Sequence, residues 1–409
     1  MYLSTIDRPK TAGWKGLSGT VFALGAVSLV TDVSSEMVTA VLPLYLVIGL
    51  QLSPAAYGVV DGLYTGATTI LRLVGGYLAD RTTKRKAVAG FGYGLSAVAK
   101  LGLLVAGTST ALLGAVITAD RAGKGLRTAP RDALITLSTP EKDLGRAFGV
   151  HRAMDGVGAF LGPLVALAVL AAAGNSFDSV FVTSFCIAAM GVVVLVVFVR
   201  DHRAPVPAKP VRPSAAFGLL RDARVRRVVL AASVLGLATI GDGFVYLLLQ
   251  KRENLAVGWF PLLAVGTSLV YLLLAAPLGA LADRVGRLPV MLGGYACLAA
   301  AYLLVFGPLG GWPLVVVVVL LYGVFYAATD GVLMALAGPL LPESLRTTGI
   351  ALIQTGQALA YLGSSVLFGL AWQFWGPETA TRAAAIGVAV ALLATFSLLS
   401  PSNLLGRRS

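Results

Sequence analysis

Charge is scarce in this chain. Only 12% of its 409 residues are Asp, Glu, Lys or Arg, where soluble domains carry about a quarter. That shortage excludes a solvated globular fold of this length. Histidine and cysteine number two each, which leaves no disulfide framework and too few soft ligands for a structural metal site. Cys186 and Cys297 each stand alone in an apolar run and read as packing residues. Neither His-Glu-x-x-His nor Gly-x-Ser-x-Gly occurs, so hydrolytic chemistry has no recognisable centre. Long hydrophilic stretches are nearly absent too, which leaves no room for a soluble catalytic domain.

What is present is apolar sequence. Hydrophobic residues make up 57% and the mean hydropathy is +0.84. About twenty apolar residues suffice to cross a bilayer. By that measure the sequence predicts twelve spans, at 17–48, 55–79, 87–107, 109–137, 147–173, 178–199, 228–250, 257–282, 289–307, 312–340, 347–373 and 377–400. The 48 glycines suit close helix–helix approach in lipid. The N-terminal residues Met1 to Lys15 lack a short apolar core with a small-residue cleavage site, so the first span itself is expected to do the targeting.

Basic residues set the expected orientation. Of 32 Lys and Arg, 22 fall on the side that holds the N-terminus, the even-to-odd loops and the C-terminus. Lys251, Arg252 and Arg382 mark the other side. Both termini are therefore expected to be cytoplasmic. The net charge of +13 is spread over many separate loops, which fits topology and anionic lipid better than nucleic acid.

The chain repeats itself. Gly76-Tyr77-Leu78-Ala79-Asp80-Arg81 ends the second span and Gly279-Ala280-Leu281-Ala282-Asp283-Arg284 the eighth, with the two aspartates 203 residues apart. Pro140-Glu141 leads to Arg146 and Gly149, and Pro342-Glu343 leads to Arg346 and Gly349. Leu161-Gly162 corresponds to Leu362-Gly363. Between the copies lies one hydrophilic stretch with Pro205, Pro207, Pro210 and Pro213 and eight basic residues, which reads as a linker. The expected organisation is an N-terminal bundle of six spans over 1–199, a cytoplasmic linker over 200–227, and a C-terminal bundle of six over 228–409.

With these repeats the chain resembles the major facilitator superfamily along essentially its whole length. The repeated Gly-x-Leu-Ala-Asp-Arg loop is that superfamily's most recognisable motif. The first copy departs from it with Thr83 where glycine is usual, and the second keeps Gly286. The resemblance implies an all-α membrane protein of twelve transmembrane helices in two six-helix bundles, working by alternating access without covalent chemistry or a cofactor. It also implies that Gly76, Asp80, Arg81, Gly279, Asp283 and Arg284 stabilise one access state. Gly149, Gly158, Gly162 and Pro163 in the fifth span resemble the superfamily's antiporter motif, although Ala166 and Leu167 replace its trailing glycines. Packing alone would use the same glycines.

The fourth span holds most of the chemistry. At about 100° per residue, Asp120, Lys124, Arg127 and Arg131 share one helical face over about 16 Å. Buried charges cost about 3 kcal/mol each at mid-bilayer, so this stripe should line water or face partners. No phosphate loop is present, because Thr118 stands where its first glycine would be. Arg121, followed four residues later by Gly125, resembles the superfamily's motif in this span, whose arginine is associated with proton coupling. Asp32 and Glu36 in the first span share a face and are candidate partners. A carboxylate beside a cation in a low-dielectric cavity can alternate between charged and neutral. Static ion pairs between the two helices would look the same in sequence. His151 and Asp155 share a face of the fifth span, with Arg152 nearby.

Proton coupling is accordingly assigned to Asp32, Glu36, Arg121 and Asp155, and substrate contact to Lys124, Arg127, Arg131 and Arg152. No metal site is assigned. Asp61, Arg72 and Lys100 add further intramembrane charge, and the second half, with Asp242 and Asp330, reads as the more apolar wall. The leading expectation is a proton-coupled exporter of a small organic molecule, monomeric, in a bacterial cytoplasmic membrane. Uptake or exchange of an anionic metabolite along the cationic stripe is the alternative. Divalent metal efflux through Asp32, Glu36 and His151 is a weaker one.

Overall fold

The computed structural model describes residues 17–81, 84–140, 143–200, 218–342 and 345–400, without the side chains of residues 70, 72, 73, 76–81, 346 and 347. Among these residues every regular element is helical. The helices are α1 (Gly19–Leu44), α2 (Pro54–Arg81), α3 (Arg85–Val105), α4 (Thr110–Leu137), α5 (Leu144–Ala172) and α6 (Phe177–Phe198). After them come α7 (Ala223–Ala238), α8 (Asp242–Glu253), α9 (Phe260–Val285) and α10 (Arg287–Val305). Last are α11 (Gly311–Thr329), α12 (Val332–Ala337), α13 (Arg346–Trp375) and α14 (Pro377–Leu399). Ten segments among the described residues are long and apolar enough to cross a membrane. The charged helix α4 is not one of the ten, yet its 28 residues reach about 42 Å at 1.5 Å each.

Local chemistry explains several boundaries. Ser176 caps α6 by accepting from the Ser179 amide, and Asp222 caps α7 by accepting from the Arg224 amide. Gly286 lies between α9 and α10 at φ 102°, a conformation that side chains beyond glycine rarely adopt. This is the glycine that the second loop motif retains. Thr83, its counterpart in the first, lies outside the described residues.

Two of the predicted spans are broken helices. Span 228–250 stops at Ala238, turns through Thr239 to Gly241, and resumes as α8. The freed backbone is satisfied from the side: the Ile240 amide donates to Tyr302 Oη at 2.8 Å, and the Tyr322 hydroxyl donates to the Ile240 carbonyl at 2.7 Å. Non-helical backbone survives at membrane depth only with such partners. Span 312–340 breaks at Asp330 and Gly331 (φ 77°) before α12.

The chain separates into two compact units. The first comprises Met1–Thr39, Ile70–Ala106 and Ala115–Pro210. Its apolar core includes Val21, Leu24 and Val27 of α1, Tyr93 of α3, Leu134 of α4 and Leu195 of α6. Glycine sets the helix spacing here. A Cβ on Gly158 would meet the Leu29 backbone, and one on Gly162 would meet Val33 and Glu36, so α5 lies directly on α1. Gly123 of α4 faces Gly92 and Ser96 of α3 just as tightly. By contrast, Gly149 has open space around it.

The second unit comprises Ala40–Thr69, Gly107–Gly114 and Val211–Ser409. The first half of α2 belongs to it because that segment packs on α13. Gly58 and Gly62 meet the backbone of Ser365 and Leu362, and Gly369 meets Pro54 and Ala55. Gly236 of α7 faces Gln357 of α13, and Gly323 of α11 faces Val270 of α9.

Replacing Gly158 by valine is expected to destabilise the protein by about 1–3 kcal/mol through overpacking against α1. Gly149→Ala should be neutral within about 0.5 kcal/mol. Thermal unfolding of the two purified variants in one detergent tests the contrast.

Candidate functional site

Helix α4 carries six charged residues between Asp120 and Asp132, and the first unit supplies a partner to each of its cations. At the N-terminal end of this charged stretch Asp120 holds three donors. Ser96 Oγ and Lys100 Nζ (3.2 Å) reach its Oδ1, and the Arg121 guanidinium reaches its Oδ2 through Nε (2.8 Å) and Nη2. Lys100 and Arg121 are both buried. This cluster bolts α3 to α4.

Arg127, also buried, sits 3.5 Å from Asp32 Oδ1 on α1 and lies over the Tyr93 ring at 4.3 Å. Burial and an aromatic face favour a guanidinium held in one place. Arg131 donates to Asp132 Oδ1 through Nε (3.0 Å) and Nη2 (2.9 Å), and to Ser28 Oγ at 3.2 Å. Lys124 differs from the others. Its Nζ is 3.9 Å from Glu36 Oε1, too far for a direct hydrogen bond, and the two side chains are 28% and 27% exposed.

Asp32 has a second neighbour. Its carboxyl group is within hydrogen-bonding reach of Asp155 on α5. Two carboxylates cannot share a hydrogen bond without one proton between them. His151, one turn earlier on α5 and buried, lies near Asp32, Arg131 and Asp132. Neither of its ring nitrogens has a hydrogen-bond partner among the described residues. The first unit thus brings Asp32, Glu36, Lys124, Arg127, Arg131 and Asp155 together on α1, α4 and α5. Arg121 is held on Asp120, and Arg152 is exposed on α5.

The second unit contains a polar seam that the sequence reading did not single out. Asp61 on α2 accepts from Tyr361 Oη at 3.1 Å and Ser365 Oγ at 2.7 Å, both on α13. Asp242 begins α8 close to Tyr57, Tyr326 and Tyr361. The second half is therefore not simply an apolar wall: phenols and carboxylates gather beside the break between α7 and α8. The signal was available in the sequence, because Asp61, Tyr361 and Ser365 each interrupt an apolar run, but nothing there pairs residues 300 positions apart. A separate cavity of about 460 Å³ between α7, α13 and α14 is lined by Leu237, Ile240, Phe368 and Trp375, with no charged group.

The conformational motif is seen in part. The side chains of Asp80 and Arg81 and the surroundings of Gly76 lie outside the described residues. In the second copy Asp283 and Arg284 are exposed. Asp283 is 3.8 Å from Arg287, which also donates to the Ala335 carbonyl at 2.6 Å. Gly279 has open space around it. Gly158 and Gly162 face α1, and Pro163 is buried within α5. Among the described residues no three His, Cys, Asp or Glu side chains converge as metal ligands.

The fold is helical, with ten segments able to cross a membrane and paired charges in its interior, and comparison with known proteins gives its class. The sequence pattern of the Major Facilitator Superfamily matches residues 24–262 and 249–407. An uncharacterised MFS-type transporter of Methanocaldococcus jannaschii is 30% identical over 392 residues, 93% of this chain and 95% of the relative. The chain belongs to the major facilitator superfamily: it is a multi-pass membrane transporter and not an enzyme. An uncharacterised protein of Mycobacterium tuberculosis is 36% identical over 171 residues, 42% of this chain and 40% of its own length. Among solved structures, the nucleoside transporter NupG superposes with a TM-score of 0.78 at 14% identity, covering 94% of this chain and 100% of that one. A POT family transporter in complex with 5-aminolevulinic acid gives 0.79 at 14% identity, covering 95% and 96%. Both likenesses concern the fold.

Asp120→Ala leaves Lys100 and Arg121 buried without their carboxylate and is expected to cost about 3–5 kcal/mol. Asp132→Ala, at a position 42% exposed, should cost about 1 kcal/mol or less. Thermal unfolding of both variants measures the difference.

Proposed function

We propose that this transporter is a proton-coupled antiporter that exports a small organic molecule by alternating access, with both termini cytoplasmic. One observation carries the reading: Asp32 and Asp155 lie within hydrogen-bonding reach of each other while Arg127 stands beside Asp32. Such a pair takes up one proton and gives it back when a neighbouring cation moves closer or away. Movement of α4 relative to α1 and α5 would change the distance between Arg127 and Asp32, and so tie proton release to the change of access.

Lys124 and Glu36 supply the substrate-facing part of the same site, because theirs is the loosest pair and both are partly open to water. Arg127 and Arg131 border it, and Arg121 anchors it through Asp120. Support for export comes from the fifth span, whose Gly158 and Gly162 bring α5 onto α1 as an antiporter-type motif would. The reading as an anion carrier loses ground, since Lys124, Arg127 and Arg131 each face a carboxylate and the stripe presents little net positive charge. A site of near-neutral balance suits a small organic molecule, the class to which the cargo of the nucleoside and POT family neighbours also belongs.

Proteoliposomes with an internal pH dye and an imposed pH gradient test the proposal. Addition of the transported class of compound should move protons in the wild-type protein. The Asp32→Asn/Glu36→Gln variant should lose that movement, because neither side chain can then take up or release a proton. Undiminished proton movement in the double variant would rule out this coupling site. Silence towards cationic, neutral and anionic compounds alike would point to uniport.

A further inference from the structure

The break in span 228–250 also shapes the outside of the second unit. Before it, α7 presents Leu230 and Leu237 outward, 48% and 49% exposed. After it, α8 is withdrawn into the interior, and every residue from Gly243 to Leu249 is buried. The second half of the span therefore leaves the neighbouring flanks of α13 and α14 uncovered. A cavity of about 460 Å³ stands there, bounded by those two helices and the end of α7.

The cavity has the form of a trough. Along α13 its lining runs from Ser364 to Trp375, a rise of about 17 Å at 1.5 Å per residue. One leaflet of a bilayer's hydrocarbon core is about 15 Å deep, half of roughly 30 Å. Tryptophan gathers at the membrane–water boundary, and Trp375 is the last residue of α13. From that level the trough reaches inward to Ile240, beside the break. Small residues form its floor: Ala371 on α13, and Ala380, Ala383, Ala384 and Gly387 on α14. A Cβ on Gly387 would meet nothing within 4 Å. The rim carries Leu367, Phe374 and Trp375, all exposed, and continues into the exposed Leu359, Ile386 and Val390 of the same helices. In a membrane transporter such a surface is the lipid interface, so the trough opens directly onto lipid.

Its chemistry narrows the occupant. Small-molecule sites contain a few convergent polar groups. Among the lining residues only Ser364 and the Trp375 indole offer a polar side-chain group, and none is charged. Ordered water needs two to four polar partners, which this lining lacks. A slender apolar chain satisfies both the length and the lining.

We propose that the trough between α7, α13 and α14 is a binding site for one acyl chain of a phospholipid, drawn from the leaflet at the α13–α14 turn, with its tip beside Ile240. The site is separate from the charged residues of the first unit and does not depend on proton coupling.

Photocrosslinking tests the site. Purified wild-type protein in excess detergent receives one equivalent of phosphatidylcholine with a diazirine midway along one acyl chain. Light expels nitrogen, the resulting carbene inserts into the C–H bonds that it touches, and peptide mass spectrometry locates the adducts. Detergent covers the open surface under these conditions, so only a built site concentrates the lipid. Adducts at Ala371 and Ala384 should exceed those at Ile386 and Val390 on the order of tenfold, equivalent to about two additional buried methylenes. Gly387→Leu, which has room for the new side chain, should remove that excess by a similar factor and leave Ile386 and Val390 unchanged. Ala383→Leu fills the trough from the next turn and repeats the test if the first variant does not fold, which thermal unfolding reveals.

Equal labelling of the trough and the open surface in the wild-type protein would make the trough ordinary annulus and overturn the site. An excess that survives filling in a folded variant would overturn it as well. Absence of label from the floor and from Leu367 and Phe374 together would place a second copy of the chain over this face instead.

Discussion

A charge inside a membrane protein needs an opposite charge, a set of hydrogen-bond donors or water within reach, and the structure of the first unit follows from meeting that requirement on one helix. Four cations and two carboxylates occupy α4 between Asp120 and Asp132. Lys100 and Ser96 come from α3 to Asp120, Asp32 comes from α1 to Arg127, and Glu36 comes from α1 to Lys124. Each pairing fixes which helix must lie beside α4 and at what height. The glycines then allow the helices to come that close: Gly92 and Gly123 between α3 and α4, and Gly158 and Gly162 between α5 and α1. Electrostatic need and small side chains thus specify the same arrangement.

The pairs are not equal in burial or in closeness. Asp120, 14% exposed, is multiply bonded to the buried Lys100 and Arg121, as a fixed joint should be. Lys124 with Glu36 is open and longer than a hydrogen bond, so little is lost when a ligand or water intervenes. Between these extremes lies Asp32, shared between Arg127 and the Asp155 carboxyl. Asp32 thus has two competing partners on one carboxylate. In the second unit Asp61 instead accepts from two hydroxyls, those of Tyr361 and Ser365.

Much of this was legible in the sequence. The apolar runs, the internal repeat and the basic loops carry the number of spans and the family, because membrane insertion depends on local composition. The stripe on α4 and the acids on α1 were visible as helical faces. Partnership was not: helical spacing places Asp32 and Glu36 on one face, but only the packing of α1 on α4 gives Arg127 to the first and Lys124 to the second. The breaks after Ala238 and Thr329 were also hidden, since Thr239-Ile240-Gly241 and Asp330-Gly331 sit inside runs apolar enough to read as continuous. The break at Ile240 exists because Tyr302 and Tyr322, some 62 and 82 residues away, replace its helical hydrogen bonds.

The sequence by itself determined that this chain lives in a bilayer, that it repeats, that it belongs with the transporters, and that its fourth span is charged. Those properties are sums over neighbouring residues, and neighbours are what a sequence records. Tertiary structure decided which charges are bound fast and which stay open, that Asp155 comes to Asp32, and that Asp61 finds its donors on α13. These depend on distances of a few ångströms between helices, over which the energy of a charge in low dielectric changes steeply.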